Sequence, residues 1–326
     1  AWGIELPFDR DYVCYVWFDA LLNYITAIGH GRDPAMFSRW WPASLQLIGK
    51  DILTTHTVYW PTMLKALGLP MPRTVLAHGW WLMGDTKMSK SLGNVVNPLD
   101  LVGRYGVDAF RYFLVAEMTL GQDASFSEAA FIRRYNSDLA NDLGNLLSRL
   151  VTMVGRYCGG RLPSAARDDD AASGELNAAL DAARHAALDL LTTYRLDEAV
   201  ATTIAAVRAI NRYLEVRAPW TQAKAADRSS LHTTLRTAAE ALRVCATLLH
   251  PVMPGKMAQL RRALGLPPEP ATHDLVEEPR IPADAALRTD GPLFPRVEPA
   301  GTVAAVASKP PPPSQAPAAS SGPEGV

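Results

Sequence analysis

Cysteine is scarce in the sequence, and its positions argue against the structures that cysteine usually builds. Cys14, Cys158 and Cys245 are the only three in 326 residues, and no C-x-x-C pair occurs. This spacing argues against a disulfide framework and against a zinc site in the chain. Free, scattered cysteines suit a reducing compartment, so we expect a cytoplasmic protein.

Long apolar runs and a strong net charge are also absent. No apolar run reaches the roughly 18 residues that a membrane-spanning helix needs, and we find no cleavable signal segment at the start. The formal net charge is −1, so any nucleic-acid partner must bind to local basic patches. The length of 326 residues predicts about two domains.

The first part of the chain alternates strand-like and helix-like segments. Residues 12–18 are aromatic and β-branched and predict a buried strand, with Asp19 capping the helix that follows. Residues 45–48 predict a second strand before the "GKD" turn at 49–51, and residues 73–83 predict a third. This order indicates a parallel α/β sheet that binds its ligands at the carboxyl ends of the strands, where "GKD" lies.

The second part has the 3.6-residue periodicity of amphipathic helices, which predicts an antiparallel helix bundle. The four predicted helices cover residues 127–157, about 175–194, 197–217 and about 229–249. The sequence then becomes rich in proline and alanine, and we expect an extended, largely disordered tail. The predicted divisions are residues 1–75, 76–125, 126–265 and 266–326.

One loop combines two lysines with small and polar residues, in the stretch "GDTKMSKSLGNVVNP" at 84–98. Asn97 and Pro98 predict the start of a helix, so Lys87 and Lys90 lie in a loop just before it. Two mobile ammonium groups can stabilise the charge that develops on a departing pyrophosphate. A solvated basic turn is the alternative for an isolated K-x-x-K pair.

The letters around these lysines form a longer pattern. "KMSKS" resembles the signature loop of class I aminoacyl-tRNA synthetases, and four further blocks narrow the resemblance to methionyl-tRNA synthetases. These blocks are "YVWFDALLNYITAIG", "LIGKDILTTHTVYWPTML", "RYGVDAFRYFL" and "APW". The resemblance covers roughly residues 1–265. It implies the second half of a Rossmann-type nucleotide-binding fold, followed by an anticodon-binding helix bundle.

The resemblance implies an ATP site. It assigns Lys87 and Lys90 to the phosphates, with Lys90 the stronger candidate, and Ser89 and Ser91 to weaker polar support. The remaining implied ATP-binding residues are Gly49, Asp51, His78 and Gly79. The cofactor it implies is ATP with Mg²⁺, and we expect no protein-bound metal.

The resemblance also implies a methionine pocket. Its implied residues are Trp17, Ala20, Leu21, Tyr24, Ile52 and His56. An unbranched thioether fits an aromatic-lined pocket, because sulfur contacts aromatic rings favourably. Without the resemblance, the aromatic and aliphatic members would be interpreted as ordinary core.

The resemblance implies that the bundle reads the CAU anticodon of the methionine tRNA. Asn141, Asn145 and Arg149 recur every four residues on a polar helix face, and amide and guanidinium groups suit base edges. Trp220, after Pro219, offers a surface on which an unstacked base can lie. A solvated helix face with a tryptophan tucked into the bundle is the alternative.

The second class I signature, His-Ile-Gly-His, does not occur in the sequence, nor does the connective insertion. We therefore expect the chain to correspond to the carboxyl-terminal portion of the enzyme, either truncated or completed by another chain, and to be incomplete for catalysis alone. Three alternatives stay open. These are a leucine, isoleucine, valine or cysteine synthetase, a non-catalytic tRNA-binding fragment, and another nucleotidyltransferase of the superfamily.

Overall fold

The structure is a computed structural model that describes residues 3–84, 86–88, 95–164, 170–271 and 279–298. Over these residues it combines small sheets with a larger set of helices, as expected for an α/β region followed by an all-α region. None of the described helices is long and apolar enough to span a membrane.

The chain begins with an exposed hairpin instead of the expected buried strand. Strand β1 (Glu5–Leu6) pairs antiparallel with β2 (Asp9–Val13), every residue of which is exposed. Helix α1 then covers Val16–Thr26, so the strand predicted over 12–18 is wrong. The helical spacing of Leu21 and Ile25, which α1 buries, outweighs the strand-like composition before it. Asp19 lies in the first turn and does not cap the helix.

The predicted parallel pairing is confirmed in the next part of the chain. Strand β3 (Gln46–Gly49) pairs in parallel with β4 (Val75–His78), and Gly49 is the register partner of His78. Both strands therefore end at the same edge. The neighbouring helical segments are α2 (Pro34–Trp40), a 3₁₀ turn (Lys50–Ile52), a π-helical turn (Thr55–Tyr59) and α3 (Trp60–Ala66).

A second small sheet leads into the bundle. Its strands lie in the order β6 (Thr86–Lys87), β5 (Trp81–Met83) and β7 (Ala124–Phe126). Trp81 and Met83 pack against the core of the bundle. The next helices are α4 (Pro98–Tyr105) and α5 (Val107–Glu117). The Asn97 side chain accepts a hydrogen bond from the Leu99 N–H at 3.1 Å, so the predicted N-cap is confirmed.

The four predicted bundle helices are confirmed, and the first of them consists of three consecutive segments. These segments are α6 (Glu128–Arg134), a π-helical stretch (Tyr135–Gly144) and α7 (Asn145–Cys158). The bundle continues with α8 (Ala171–Thr192), α9 (Leu196–Arg217), α10 (Pro219–Gln222), α11 (Ser229–Leu249) and α12 (Pro254–Ala263).

The segment 279–298 packs on the bundle, so packed structure extends beyond the predicted limit at 265. Its Ile281, Leu287, Leu293 and Phe294 are buried in the same core as the helices. The Asn136 side chain bonds both the N–H and the carbonyl of Val297, at 3.0 and 2.7 Å. Residues 272–278 and 299–326 lie outside the described residues, and the domain limits stay a prediction.

Candidate functional site

The carboxyl ends of β3 and β4 bring four of the predicted ATP-binding residues together. At Gly49 an added Cβ would lie 2.6 Å from Asp51 Oδ1, so a side chain there would displace the Asp51 carboxylate. The His78 Nδ1–H donates to the Gly79 carbonyl at 2.7 Å. The backbone N–H of Asp51 and then the Trp80 indole N–H, 3.5 Å away, hold the pKa of the Asp51 carboxyl below its usual value. The carboxylate is therefore charged at neutral pH.

A neighbouring loop closes against this edge. An added Cβ on Gly79 would lie 2.0 Å from the Gln122 carbonyl oxygen, so only glycine fits. This approach places Asp123 beside the strand ends, where it accepts from Lys50 Nζ at 2.7 Å and from the Trp80 backbone N–H at 2.8 Å. The Lys50 hydrogen bond and then the Trp80 N–H lower the pKa of Asp123.

Of the two predicted phosphate-binding lysines, the structure describes one. Lys87 is an exposed residue of β6, and its Nζ lies 4.0 Å from the centroid of the Trp80 ring. Its positive charge also helps to lower the pKa of Asp51, which places it at the same edge. Lys90, Ser89 and Ser91 lie outside the described residues.

Three of the predicted methionine-pocket side chains form one aromatic cluster. The Trp17 and Tyr24 rings lie edge-on to His56, with centroids 6.0 and 5.7 Å away. His56 is buried, and its Nδ1–H donates to the Ile52 carbonyl at 2.9 Å. Its Nε2 lies 3.0 Å from the Tyr24 hydroxyl, so both ring nitrogens have hydrogen-bond partners.

The other three pocket candidates lie differently, and Ile52 contributes its backbone carbonyl to His56. Leu21 belongs to a small core cluster with Trp41, Trp60 and Leu64, and Ala20 is exposed. Trp60, which the sequence analysis did not select, contacts the aromatic cluster, because its ring centroid is 5.9 Å from that of Tyr24.

On the bundle, Arg149 connects α7, which carries two predicted anticodon residues, to α9. From α7, its Nη1 donates to Asn211 Oδ1 at 3.4 Å and lies 3.8 Å from Glu215, both on α9. Asn145 is exposed at the start of α7. Asn141 lies in the π-helical stretch and accepts from Arg296 Nη1 at 3.4 Å.

The end of α9 presents the predicted tryptophan platform. Ala218 adopts a left-handed φ of 45° that ends the helix, and Pro219 begins α10. Pro219 is buried, whereas Trp220 is 43% exposed. The Arg217 Nε–H donates to the Thr234 hydroxyl at 3.1 Å, which ties this corner to α11. The indole is therefore held on a fixed corner with much of its surface accessible.

Comparisons with known proteins agree with both regions. The family model for "tRNA synthetases class I (M)" matches residues 1–151, and the model for "Anticodon binding domain of methionyl tRNA ligase" matches residues 164–298. The chain belongs to the methionyl-tRNA synthetase family.

Individual relatives show how much of the family the chain represents. It is 43% identical over 304 residues to the methionine–tRNA ligase of Enterococcus faecalis, covering 91% of this chain and 45% of the relative. It is 40% identical over 306 residues to that of Streptomyces coelicolor, covering 91% and 57%. The chain thus spans about half the length of the curated relatives it matches.

The same similarity holds in three dimensions. The Mycobacterium tuberculosis methionyl-tRNA synthetase structure bound by methionyl-adenylate matches with a TM-score of 0.82 and 37% identity, covering 90% of this chain and 58% of that one. Its apo form matches with a TM-score of 0.81 and 35% identity, covering 92% and 59%.

The structure adds three residues at the carboxyl ends of β3 and β4 that the sequence patterns did not reveal: Lys50, Trp80 and Asp123. Lys50 and Asp123 are 73 residues apart, so no local pattern links them. The available signals were the lysine inside "GKD" and the paired tryptophans after His78 and Gly79.

Proposed function

We propose that this chain supplies part of the catalytic site and the anticodon-binding bundle of a methionine–tRNA ligase. The observation that carries the proposal is the place of His56. His56 bonds the carbonyl of Ile52, which directly follows Asp51 in the same 3₁₀ turn. The aromatic cluster therefore lies next to the predicted nucleotide site. Adenylation needs the amino acid and the nucleotide side by side, and this arrangement supports such a site.

The first step joins methionine to the nucleotide. A carboxylate oxygen of methionine attacks the α-phosphorus of ATP, an O–P bond forms, and the bond to the β-phosphate bridging oxygen breaks to release pyrophosphate. Lys87 and Lys90 would stabilise the charge that accumulates on the leaving pyrophosphate. Asp51 would accept from a ribose hydroxyl or from the methionine ammonium group.

The metal of this reaction would arrive with its substrate. Among the described residues, no three His, Cys, Asp or Glu side chains are close enough to hold an ion. We propose that Mg²⁺ is bound to the ATP phosphates.

The second step transfers the amino acid to tRNA. A hydroxyl of the 3′-terminal ribose attacks the methionyl carbonyl, and AMP leaves with the bonding electrons. The CAU anticodon of tRNA(Met) would meet Asn141, Asn145, Arg149, Pro219 and Trp220. Amide and guanidinium groups would bond base edges, and the exposed face of Trp220 would stack on a base. We propose that this takes place in the cytoplasm.

Methionine-dependent exchange of pyrophosphate into ATP tests the catalytic half of the proposal. The assay is run on this chain alone and on this chain joined to the segment of a relative that it does not match. Lys90→Ala should slow exchange by about 10²-fold or more with little change in methionine affinity. Lys65→Ala, which removes an exposed lysine of α3, serves as the matched control.

The outcomes separate the proposal from its alternatives. Unchanged exchange in Lys90→Ala contradicts the role of that lysine. Exchange with leucine, isoleucine, valine or cysteine in place of methionine would assign the chain to another class I enzyme. If even the joined chain shows no exchange yet binds tRNA, the chain is a tRNA-binding module without catalysis.

A further inference from the structure

The ammonium groups of two lysines lie against the Trp80 indole ring. Lys50 Nζ lies 4.2 Å and Lys87 Nζ 4.0 Å from the centroid of its ring. An indole attracts cations to its face more strongly than the rings of tyrosine or phenylalanine. Trp80 is half-buried while Lys87 is exposed, so the ring is the more fixed of the two partners.

Asp123 holds the Trp80 backbone and the Lys50 ammonium group together. Its carboxylate accepts from the Trp80 backbone N–H at 2.8 Å and from Lys50 Nζ at 2.7 Å. Lys50 thus forms an ion pair with Asp123. Lys87 precedes Lys90 by three residues in the sequence. The Asp51 carboxylate accepts from the N–H of the same indole, with 3.5 Å between Trp80 Nε1 and Asp51 Oδ1. Two carboxylates therefore offset the repulsion between the two lysines.

We propose that the Trp80 indole is a seat for the Lys87 ammonium group, which holds this lysine beside the nucleotide site while no phosphate is bound. Trp80 is then a positioning residue that acts through Lys87. A phosphate attracts an ammonium group more strongly than a ring face does, so arriving ATP takes the lysine from the seat. The role of the seat in ATP use rests on the proposed function; its existence does not.

Limited trypsin digestion without ligand measures the seat directly. Trypsin cleaves after Lys87 only when its side chain leaves the ring and enters the protease. Trp80→Leu should raise cleavage of the 87–88 bond about two- to five-fold, the population change that one exposed cation–π contact supports. Trp80→Phe keeps a ring face and should restore a rate nearer to that of the parent chain.

Two controls exclude a general loosening. Cleavage after Lys65, on α3, should be equal in all variants. Trp40→Leu removes an exposed tryptophan whose ring lies 5.4 Å from the Arg39 guanidinium carbon, and it should not change cleavage after Lys87. If cleavage after Lys87 is equal in the parent chain and in Trp80→Leu, the proposal that the Trp80 ring holds Lys87 is wrong.

Exchange kinetics in the joined chain provide a second measurement. Because bound ATP breaks this contact, Trp80→Leu should lower the KM for ATP about two- to five-fold while the KM for methionine stays the same, and Trp80→Phe should lie nearer to the parent chain. A fall in kcat alone, with both KM values unchanged, contradicts the positioning role. If the parent chain shows no exchange at all, the proposed function fails, while the digestion result still decides on the seat.

Discussion

The helix bundle and the N-terminal region, residues 3–84, differ in how much apolar surface they bury. Among the described residues, the bundle belongs to one continuous core that extends from Leu101 to Phe294. The N-terminal core consists of Leu21, Ile25, Trp41, Trp60 and Leu64. Around it, large apolar side chains stay open to solvent, with Phe8 83% exposed and Leu47 59% exposed.

This difference separates the residues proposed to bind the anticodon from those proposed to line the catalytic site. Trp220 and Arg149 lie on helices whose own core fixes them, so their geometry depends little on the rest of the protein. Asp51 and His56 lie next to a core too small to supply much hydrophobic stabilisation. Trp81, Met83 and Met88 connect the two regions, since their side chains pack on the bundle core. We therefore expect the bundle to keep its structure under conditions in which the N-terminal region opens.

Truncation of one leucine in each core gives the largest test of this comparison. Leu143 and Leu64 are both fully buried. Leu143→Ala should lower the free energy of unfolding of the bundle by about 2–5 kcal/mol, measured as a shift of the helical transition in urea. Leu64→Ala should loosen only the N-terminal region. An equal shift of the helical transition by Leu64→Ala would show that the two regions unfold as one unit.

A smaller loss is expected from the polar network that ties α5 to the bundle. Asp138 is buried and accepts from the Tyr112 hydroxyl at 2.9 Å, from Arg208 at 2.9 Å and from Arg134 at 3.4 Å. Asp138→Ala should cost about 2 kcal/mol, less than a fully buried pair, because both arginines are partly exposed.

The control for this prediction is Asp138→Asn, which keeps an acceptor oxygen and should lose less. Both variants are compared by urea denaturation, followed by circular dichroism. Stability equal to that of the parent chain in Asp138→Ala would mean that the network contributes nothing to the junction.

The smallest expected effect is the pH dependence of the Lys50–Asp123 ion pair at the ends of β3 and β4. Lys50 and the Trp80 N–H lower the pKa of Asp123 in the folded state. The ion pair therefore contributes fully above the usual pKa of about 4 and is lost as the pH falls through the lowered value. Titration of the Trp80 backbone amide NMR signal, whose N–H donates to Asp123, should show this step below pH 4, and Asp123→Asn should remove it. A step at or above the usual value contradicts the pairing.

The bundle could be predicted from sequence because its signal is local. The apolar residues of α9 and α11 repeat every three to four positions, so helix limits follow from the pattern within a few residues. The π-helical stretch within the first helix has no such signal. Its hydrogen bonds link residues five apart instead of four. Asn141 and Asn145 are therefore oriented differently from the i, i+4 positions of the regular helix that we expected.

The N-terminal region was harder because its structure depends on distant contacts. The aromatic residues before α1 have the composition of a buried strand, yet Tyr12 is exposed on a hairpin and Trp17 is helical. Likewise, Trp80 gained its role only when Lys50 and Asp123, far apart in sequence, met at the strand ends. Motif spacing located the edge, but only the fold brought these partners together.

Binding of an anticodon stem-loop to this chain tests the central claim most directly. The bundle carries its own core, so its specificity can be measured without the catalytic step. We predict that the chain binds a CAU stem-loop more tightly than loops with one anticodon base changed, and that Trp220→Ala removes about 1–3 kcal/mol of this binding. Equal binding of all the loops would contradict the assignment of the bundle as the reader of the methionine anticodon.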